Sequence, residues 1–194
     1  LLSRWGISHS DRVILFMGTV YRFSGLDQVI EDFPSLLSRH PSSKLLVVGT
    51  GEDMDRLRAL SEKVGVNSNI VFTGVQEYPL LPDFIRSSDL CINPFRVNAI
   101  TQHILPTKLF QYLACGRPLV ATELPGTKPF LRGEGEGVVY SDLANFVNAI
   151  ADLLDSPERC QELGNHASKA MRERYDWKHT AESLVEWMEE IVKS

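Results

Sequence analysis

The sequence predicts an α/β domain, a doubly wound parallel sheet of Rossmann-like type, and three observations carry that prediction. Short, mostly apolar runs recur at residues 13–17, 45–48, 69–72 and 89–92. They read as strands buried on both faces, without the alternation of half-solvated ones. Stretches of helical periodicity separate them, with short connections. The runs end in small or polar residues: Gly18-Thr19, Gly49-Thr50-Gly51, Thr73-Gly74 and Asn93-Pro94. In open parallel sheets ligands bind outside such carboxyl ends.

Each element has its own signal. Val-Ile-Leu-Phe-Met at 13–17 opens the sheet, and a polar turn leads to Gly25. From Leu26 to about Arg39 the residues Leu26, Val29, Ile30, Phe33, Leu36 and Leu37 fall on one helical face. Pro34 lies inside that pattern and predicts a kink or a split. A second strand at 45–48 precedes a helix over 53–64, and a third at 69–72 precedes a short helix over 80–86. A fourth strand spans 89–92. After a fifth at 118–121 and a small strand at 137–140, three helical stretches close the chain, near 143–154, 157–174 and 177–192. The exposed-looking acids Asp83, Glu123, Glu134 and Glu136 read as surface residues. No repeat or low-complexity tract interrupts the pattern.

Composition sets the outer limits. A chain of 194 residues suits one domain with a sizeable core. A net charge of −5 with mixed signs gives no basic face for nucleic acid. No apolar run reaches the roughly 18 residues of a membrane span, and no signal peptide opens the chain. Cys91, Cys115 and Cys160 lack metal-site spacing, and the first two sit in apolar contexts. A reducing, cytoplasmic setting is expected. The chain starts without methionine, and residues 1–10 read as a helix tail and turn. The expectation is therefore a remnant of an interdomain linker at 1–12, from a missing N-terminal domain, followed by one α/β domain with C-terminal helices at 13–194.

The densest stretch runs from Ile104 to Thr122. Pro106 and Thr107 are helix-start signals, with Thr107 able to cap free amides. Gly116 is the expected left-handed stop, and Pro118 blocks continuation. Leu109, Phe110, Leu113 and Ala114 give the short helix between them an apolar face. Lys108 is the odd residue, because a cation in a first turn opposes the helix dipole. Free amides plus an ammonium at a helix start suit an anion. Gln111 lies one turn on, on the same side. The plain alternative is a solvated lysine on a surface helix.

The pattern Pro106-x-Lys108-x-x-Gln111-Tyr112-Leu113-Ala114-x-Gly116-x-Pro118-Leu119-Val120-Ala121 resembles the donor-site helix of retaining nucleotide-sugar glycosyltransferases. These are family 4 and its relatives, with the two-domain GT-B fold. The resemblance runs from about Val13 to the C-terminus. It implies that this chain is the C-terminal, donor-binding half of such a fold. It also gives jobs to the loops. Gly18, Thr19, Arg22, Thr107 and Lys108 would face the donor diphosphate. His103 and Gln111 would face the sugar or ribose, and Gly49, Gly51, Thr73 and Gly74 the base. The chain departs from the family in telling places. The first loop usually carries Arg and Lys, where this chain has Thr19 and Ser24. The family's two spaced glutamates become His103 and Gln111. Arg22 can supply one charge, and Lys108 is then the main cation left. No catalytic residue is assigned.

The resemblance implies a nucleoside diphosphate sugar as substrate, no cofactor and no metal in this domain. Any peripheral membrane contact would come through the missing half. The expected activity is hexosyl transfer with retention by the full-length protein, with the isolated piece inactive. The lost Arg, Lys and Glu keep open a non-catalytic nucleotide-sugar-binding subunit. A nucleotide-sugar epimerase of the same fold is a third reading. In the resembled fold the last helix packs on the partner domain; Trp177, Leu184, Trp187 and Met188 suit that contact, and equally suit ordinary packing within this chain.

Overall fold

The computed structural model describes residues 1–193, and for His179 the backbone only. Six parallel strands form one sheet: β1 (Arg12–Met17), β2 (Ser43–Val48), β3 (Ile70–Gly74), β4 (Leu90–Asn93), β5 (Leu119–Ala121) and β6 (Val138–Tyr140). Their order is β3-β2-β1-β4-β5-β6. β1 thus pairs with β2 on one side and β4 on the other, with Ile14 opposite both Leu45 and Leu90. The winding reverses between β1 and β4, which opens a crevice at their carboxyl ends.

The described residues form seven α-helices, of which the first six supply residues to the core: α1 (Leu26–Arg39), α2 (Met54–Val64), α3 (Leu81–Arg86), α4 (Lys108–Ala114), α5 (Phe146–Leu154), α6 (Pro157–Arg174) and α7 (Trp177–Lys193). Alternation along β1 divides the core. Ile14 and Phe16 join the apolar residues of α1, α2 and α5, and Val13, Leu15 and Met17 join those of α3, α4 and α6. Both faces of the strands are therefore dry, which explains their unbroken apolar runs. The segment before β1 belongs to this packing. Its 3₁₀ turn Leu2–Trp5 ends at Gly6 with φ 71°, and Ile7 is buried on the α4 side.

Two expectations change. Pro34 neither splits nor ends α1, which runs through it for 14 residues. Pro34 is exposed, so its ring stands on the solvent side of the helix and outside the core packing. Glu136 is not a surface acid. It is buried, accepts the Arg132 N–H at 2.6 Å and pairs with Arg174 of α6. α7 presents Trp177, Leu184, Val185, Trp187 and Met188 to solvent.

Candidate functional site

The loops after β1 and β2 form one wall of the crevice by lying directly on each other. Gly18 N–H donates to Val48 O at 2.8 Å, and Val20 N–H to Thr50 O at 2.9 Å. A Cβ on Gly49 would stand 2.1 Å from Gly18 O, and one on Gly51 2.1 Å from Val20 O. These two glycines are therefore required by loop-on-loop contact, which no side chain permits. Thr73 is buried and donates to Gly74 O at 2.9 Å, and that carbonyl also accepts Gly49 N–H at 2.9 Å. Gly49, Gly51, Thr73 and Gly74 thus make a continuous rim.

In the β1 loop the two polar candidates are free. Thr19 and Arg22 are exposed, with no hydrogen bond or ion pair among the described residues. Ser24 is committed elsewhere: it is fully buried, and its Oγ accepts Tyr21 N–H at 2.9 Å. That bond closes a 3₁₀ turn, Arg22–Ser24, and Gly25 follows at φ 69°. A Cβ on Gly25 would overlap Pro94 O at 1.8 Å, so the β1 and β4 loops also touch backbone to backbone. Ion pairs tie the same regions. Asp27 binds Arg96 at 2.9 Å and Arg56 at 3.1 Å, and Arg56 also pairs with Asp53. Burial pushes the Asp27 carboxyl up, but the bonds from Arg96 and Arg56 outweigh it and hold the group below the usual range. Hydrogen bonding to Asp53 holds the Arg56 guanidinium firmly charged.

α4 enters the crevice differently from expectation. Thr107 makes no side-chain cap. Its backbone is already helical, φ −60° and ψ −25°, so its hydroxyl is not placed like that of an extended N-cap. The amides of Leu109 and Phe110 are also occupied, by Pro106 O at 3.1 Å and Thr107 O at 3.2 Å. With only seven residues, the helix offers little terminal field. The C-terminal stop is as expected, with Gly116 at φ 70° and its N–H on Leu113 O. The apolar face needs correcting: Ala114 is exposed and Phe110 half-buried, while Tyr112 is fully buried. The Tyr112 hydroxyl accepts Met17 N–H at 2.7 Å and reaches Met17 O at 3.3 Å. It pins α4 to the last residue of β1.

That anchorage places Lys108 over the switch point. The residue as a whole is half-buried, but its side chain is turned inward. Nζ stands 3.7 Å from the Phe16 ring centroid and 4.5 Å from that of Phe95. Beneath it lies Gly18, where a Cβ would meet Lys108 Cδ at 3.6 Å and Nζ at 4.0 Å. Lys108 has no hydrogen bond or ion pair among the described residues. Burial drives its ammonium well below the ordinary lysine pKa. Gln111 is half-buried one turn away, with its side-chain amide unbonded among the described residues. His103 is exposed at the end of the 3₁₀ turn Thr101–His103, its ring likewise unpartnered. Asn98 shapes that turn by accepting the Ile100 and Thr101 N–H groups.

Gly18, Thr19, Arg22, His103 and Lys108 thus lie on segments that follow the carboxyl ends of β1 and β4, with Gln111 one turn into α4 and Lys108 packed over Gly18. Sequence reasoning missed Phe16, Phe95 and Tyr112. For Tyr112 a signal existed, a polar tip inside an apolar helical face. For Phe95, just past Asn93-Pro94, periodicity offered none. Among the described residues no group of three or more His, Cys, Asp or Glu converges as for a metal ion.

A parallel sheet of this order, with its winding reversed between β1 and β4, places the chain among the doubly wound α/β domains of the GT-B type. The chain belongs to the group 1 glycosyl transferases, whose family model matches residues 11–156. It is 26% identical over 187 residues to an uncharacterized glycosyltransferase of Methanocaldococcus jannaschii, across 93% of this chain and 45% of that protein. It is 27% identical over 186 residues to the D-inositol 3-phosphate glycosyltransferase of Segniliparus rotundus, across 93% of this chain and 40% of that one. The chain thus spans less than half the length of these curated relatives. Among solved structures, Anabaena HepE in complex with UDP superposes with a TM-score of 0.83 at 15% identity, over 97% of this chain and 51% of that one. The C-terminal domain of the Francisella tularensis group 1 protein LpcC gives 0.72 at 16%, over 90% and 92%.

Proposed function

We propose that this chain is the donor-binding domain of a glycosyltransferase that moves a hexose from a nucleoside diphosphate sugar to an acceptor with retention. The observation that carries the reading is Lys108, an inward-turned cation without an anionic partner among the described residues, held at the switch point beside Gly18. A buried ammonium stripped of water is stabilised by a nearby anion, so a diphosphate is its natural complement. Cleavage at the anomeric carbon builds negative charge on the departing diphosphate, and a group aimed at that charge lowers the barrier. Arg22 and the free Thr19 hydroxyl stand on the same rim, with Gln111 and His103 as neutral hydrogen-bonding groups for ribose and sugar. Anabaena HepE, of the same fold, was solved with UDP, which makes UDP the first probe to use.

The acceptor and the exclusion of water would come from a second domain closing over the crevice. The apolar side of α7, with Trp187 and Met188 exposed, suits that contact. This domain alone would bind donor weakly and transfer nothing, and its setting would be cytoplasmic. Ser24, locked into its own turn, and uncharged Thr19 favour one second reading, a non-catalytic nucleotide-sugar-binding subunit. Turnover by the full-length protein with a donor and acceptor panel separates the two.

The site itself is tested by calorimetric titration of UDP and uridine. Lys108→Ala should weaken UDP about ten-fold or more while uridine changes little, since a charge-assisted contact is lost. Equal loss for both ligands would remove Lys108 from the diphosphate site.

A further inference from the structure

The Lys108 side chain does not simply project into the crevice; it rests on an aromatic support assembled from three segments. Phe16 comes from β1 and is fully buried. Phe95 follows β4, is 6% exposed, and packs edge-to-face with Phe23 at a centroid distance of 5.3 Å, with the rings inclined 80°. Phe23 in turn stacks on Tyr21 at 4.8 Å. The chain Tyr21–Phe23–Phe95–Lys108 therefore links the β1 loop, the β4 loop and α4. Ser24 presents Phe23 by closing the turn at Tyr21, and Arg96 N–H bonds Phe23 O at 2.8 Å. A lysine of four flexible methylenes would otherwise extend into water. A ring face within 6 Å of the ammonium offsets part of its lost hydration. Phe95 is the more adjustable of the two rings, because it also lines an open hollow of about 420 Å³ with Val97, Thr122 and Tyr140.

We propose that Phe95 is a positioning residue for the anion site. With Phe16 it holds the Lys108 ammonium at the carboxyl end of β1 before ligand arrives, so that a diphosphate meets a placed cation instead of a mobile one. This rests on the functional reading above and deepens it. Phe23 and Phe95 are thus how the β1 and β4 loops serve the diphosphate, by bracing Lys108.

The test uses this chain, with UDP, uridine and inorganic pyrophosphate as probes, in wild type, Phe95→Leu, Phe95→Tyr and Lys108→Ala. Phe95→Leu keeps apolar volume and removes the ring face. It should weaken UDP and pyrophosphate about five-fold, as expected for loss of a cation–π contact of about 1 kcal/mol, and leave uridine unchanged. Phe95→Tyr should restore UDP affinity. A readout in the free protein keeps the proposal falsifiable even if binding is weak. With ¹³C-labelled lysine, the Lys108 side-chain methylenes should be shifted upfield by the rings in wild type and Phe95→Tyr, and return toward ordinary lysine values in Phe95→Leu. Unshifted Lys108 resonances in wild type, or a Phe95→Leu protein with the wild-type ratio of UDP to uridine affinity, would overturn the positioning role. If Lys108→Ala also leaves UDP affinity untouched, the diphosphate reading falls with it. A normal Lys108→Ala effect beside a silent Phe95→Leu sinks the positioning role alone.

Discussion

The two ends of the sheet treat charge in opposite ways. At the amino end a cavity of about 520 Å³ is lined by Arg12, Arg86, Asp89 and Arg117 among others. Its charges are spent on structure: Arg12 pairs with Asp89 at 3.2 Å, Asp89 also accepts Val13 N–H at 2.7 Å, and Arg117 donates to Arg86 O. At the carboxyl end, where the hollow beside Phe95 is smaller, Lys108 has rings for neighbours and no anion among the described residues. Cavity size alone would point to the amino end. Unmet charge where the winding reverses points to the carboxyl end, because an uncompensated buried cation is costly unless a ligand completes it.

Removing charge should therefore have opposite effects at the two ends. Asp89→Ala at the amino end should destabilise the fold by about 2 kcal/mol, through the lost charge-assisted bond to Val13 and the stranded Arg12. Urea unfolding would show it, with UDP affinity unaltered; a cost below about 0.5 kcal/mol would mean that this end is no better paired than the other. Lys108→Met should do the reverse and stabilise the empty domain at pH 7 by about 1 kcal/mol, within the usual range for removing a functional strain. The pH dependence follows from the direction of the shift. The folded-state pKa of Lys108 lies below its unfolded value of about 10.4, so the unfolded chain holds the extra proton between them. Wild-type stability relative to Lys108→Met should accordingly rise as pH increases from 7 toward 10. A flat difference across that range would show Lys108 to be a solvated surface lysine after all.

Much of this architecture was legible because the strands are buried on both faces, so their runs stand out without any alternation to decipher. The run at 13–17 became β1 with one added residue, Arg12, and the helical face from Leu26 to Arg39 appeared with identical ends. Lys108 stood out in the sequence too, because it breaks the charge preference of a helix start. What escaped depends on contacts between distant segments. Glu136 looked exposed because Arg174, which neutralises it, lies 38 positions away. Gly49 and Gly51 suggested close approach to a ligand, whereas the backbone they admit is that of Gly18 and Val20. Thr107 had the right chemistry for a cap but not the extended backbone that a cap requires. Phe16 read as part of a buried strand and Phe95 carried no signal; both are buried. Their second task, facing an ammonium, exists only once β1, β4 and α4 are brought together by the Tyr112 bond to Met17.

The central claim is that the unpaired cation at the β1–β4 reversal marks where a diphosphate binds. A crystal structure of this chain soaked with UDP tests it most directly. The account predicts phosphate oxygens within hydrogen-bonding distance, about 2.7–3.2 Å, of Lys108 Nζ, above Gly18, with ribose on the Gln111 side. A nucleotide seated instead in the amino-end cavity against Arg86 and Arg117, with Lys108 still resting unengaged on Phe16 and Phe95, would contradict it.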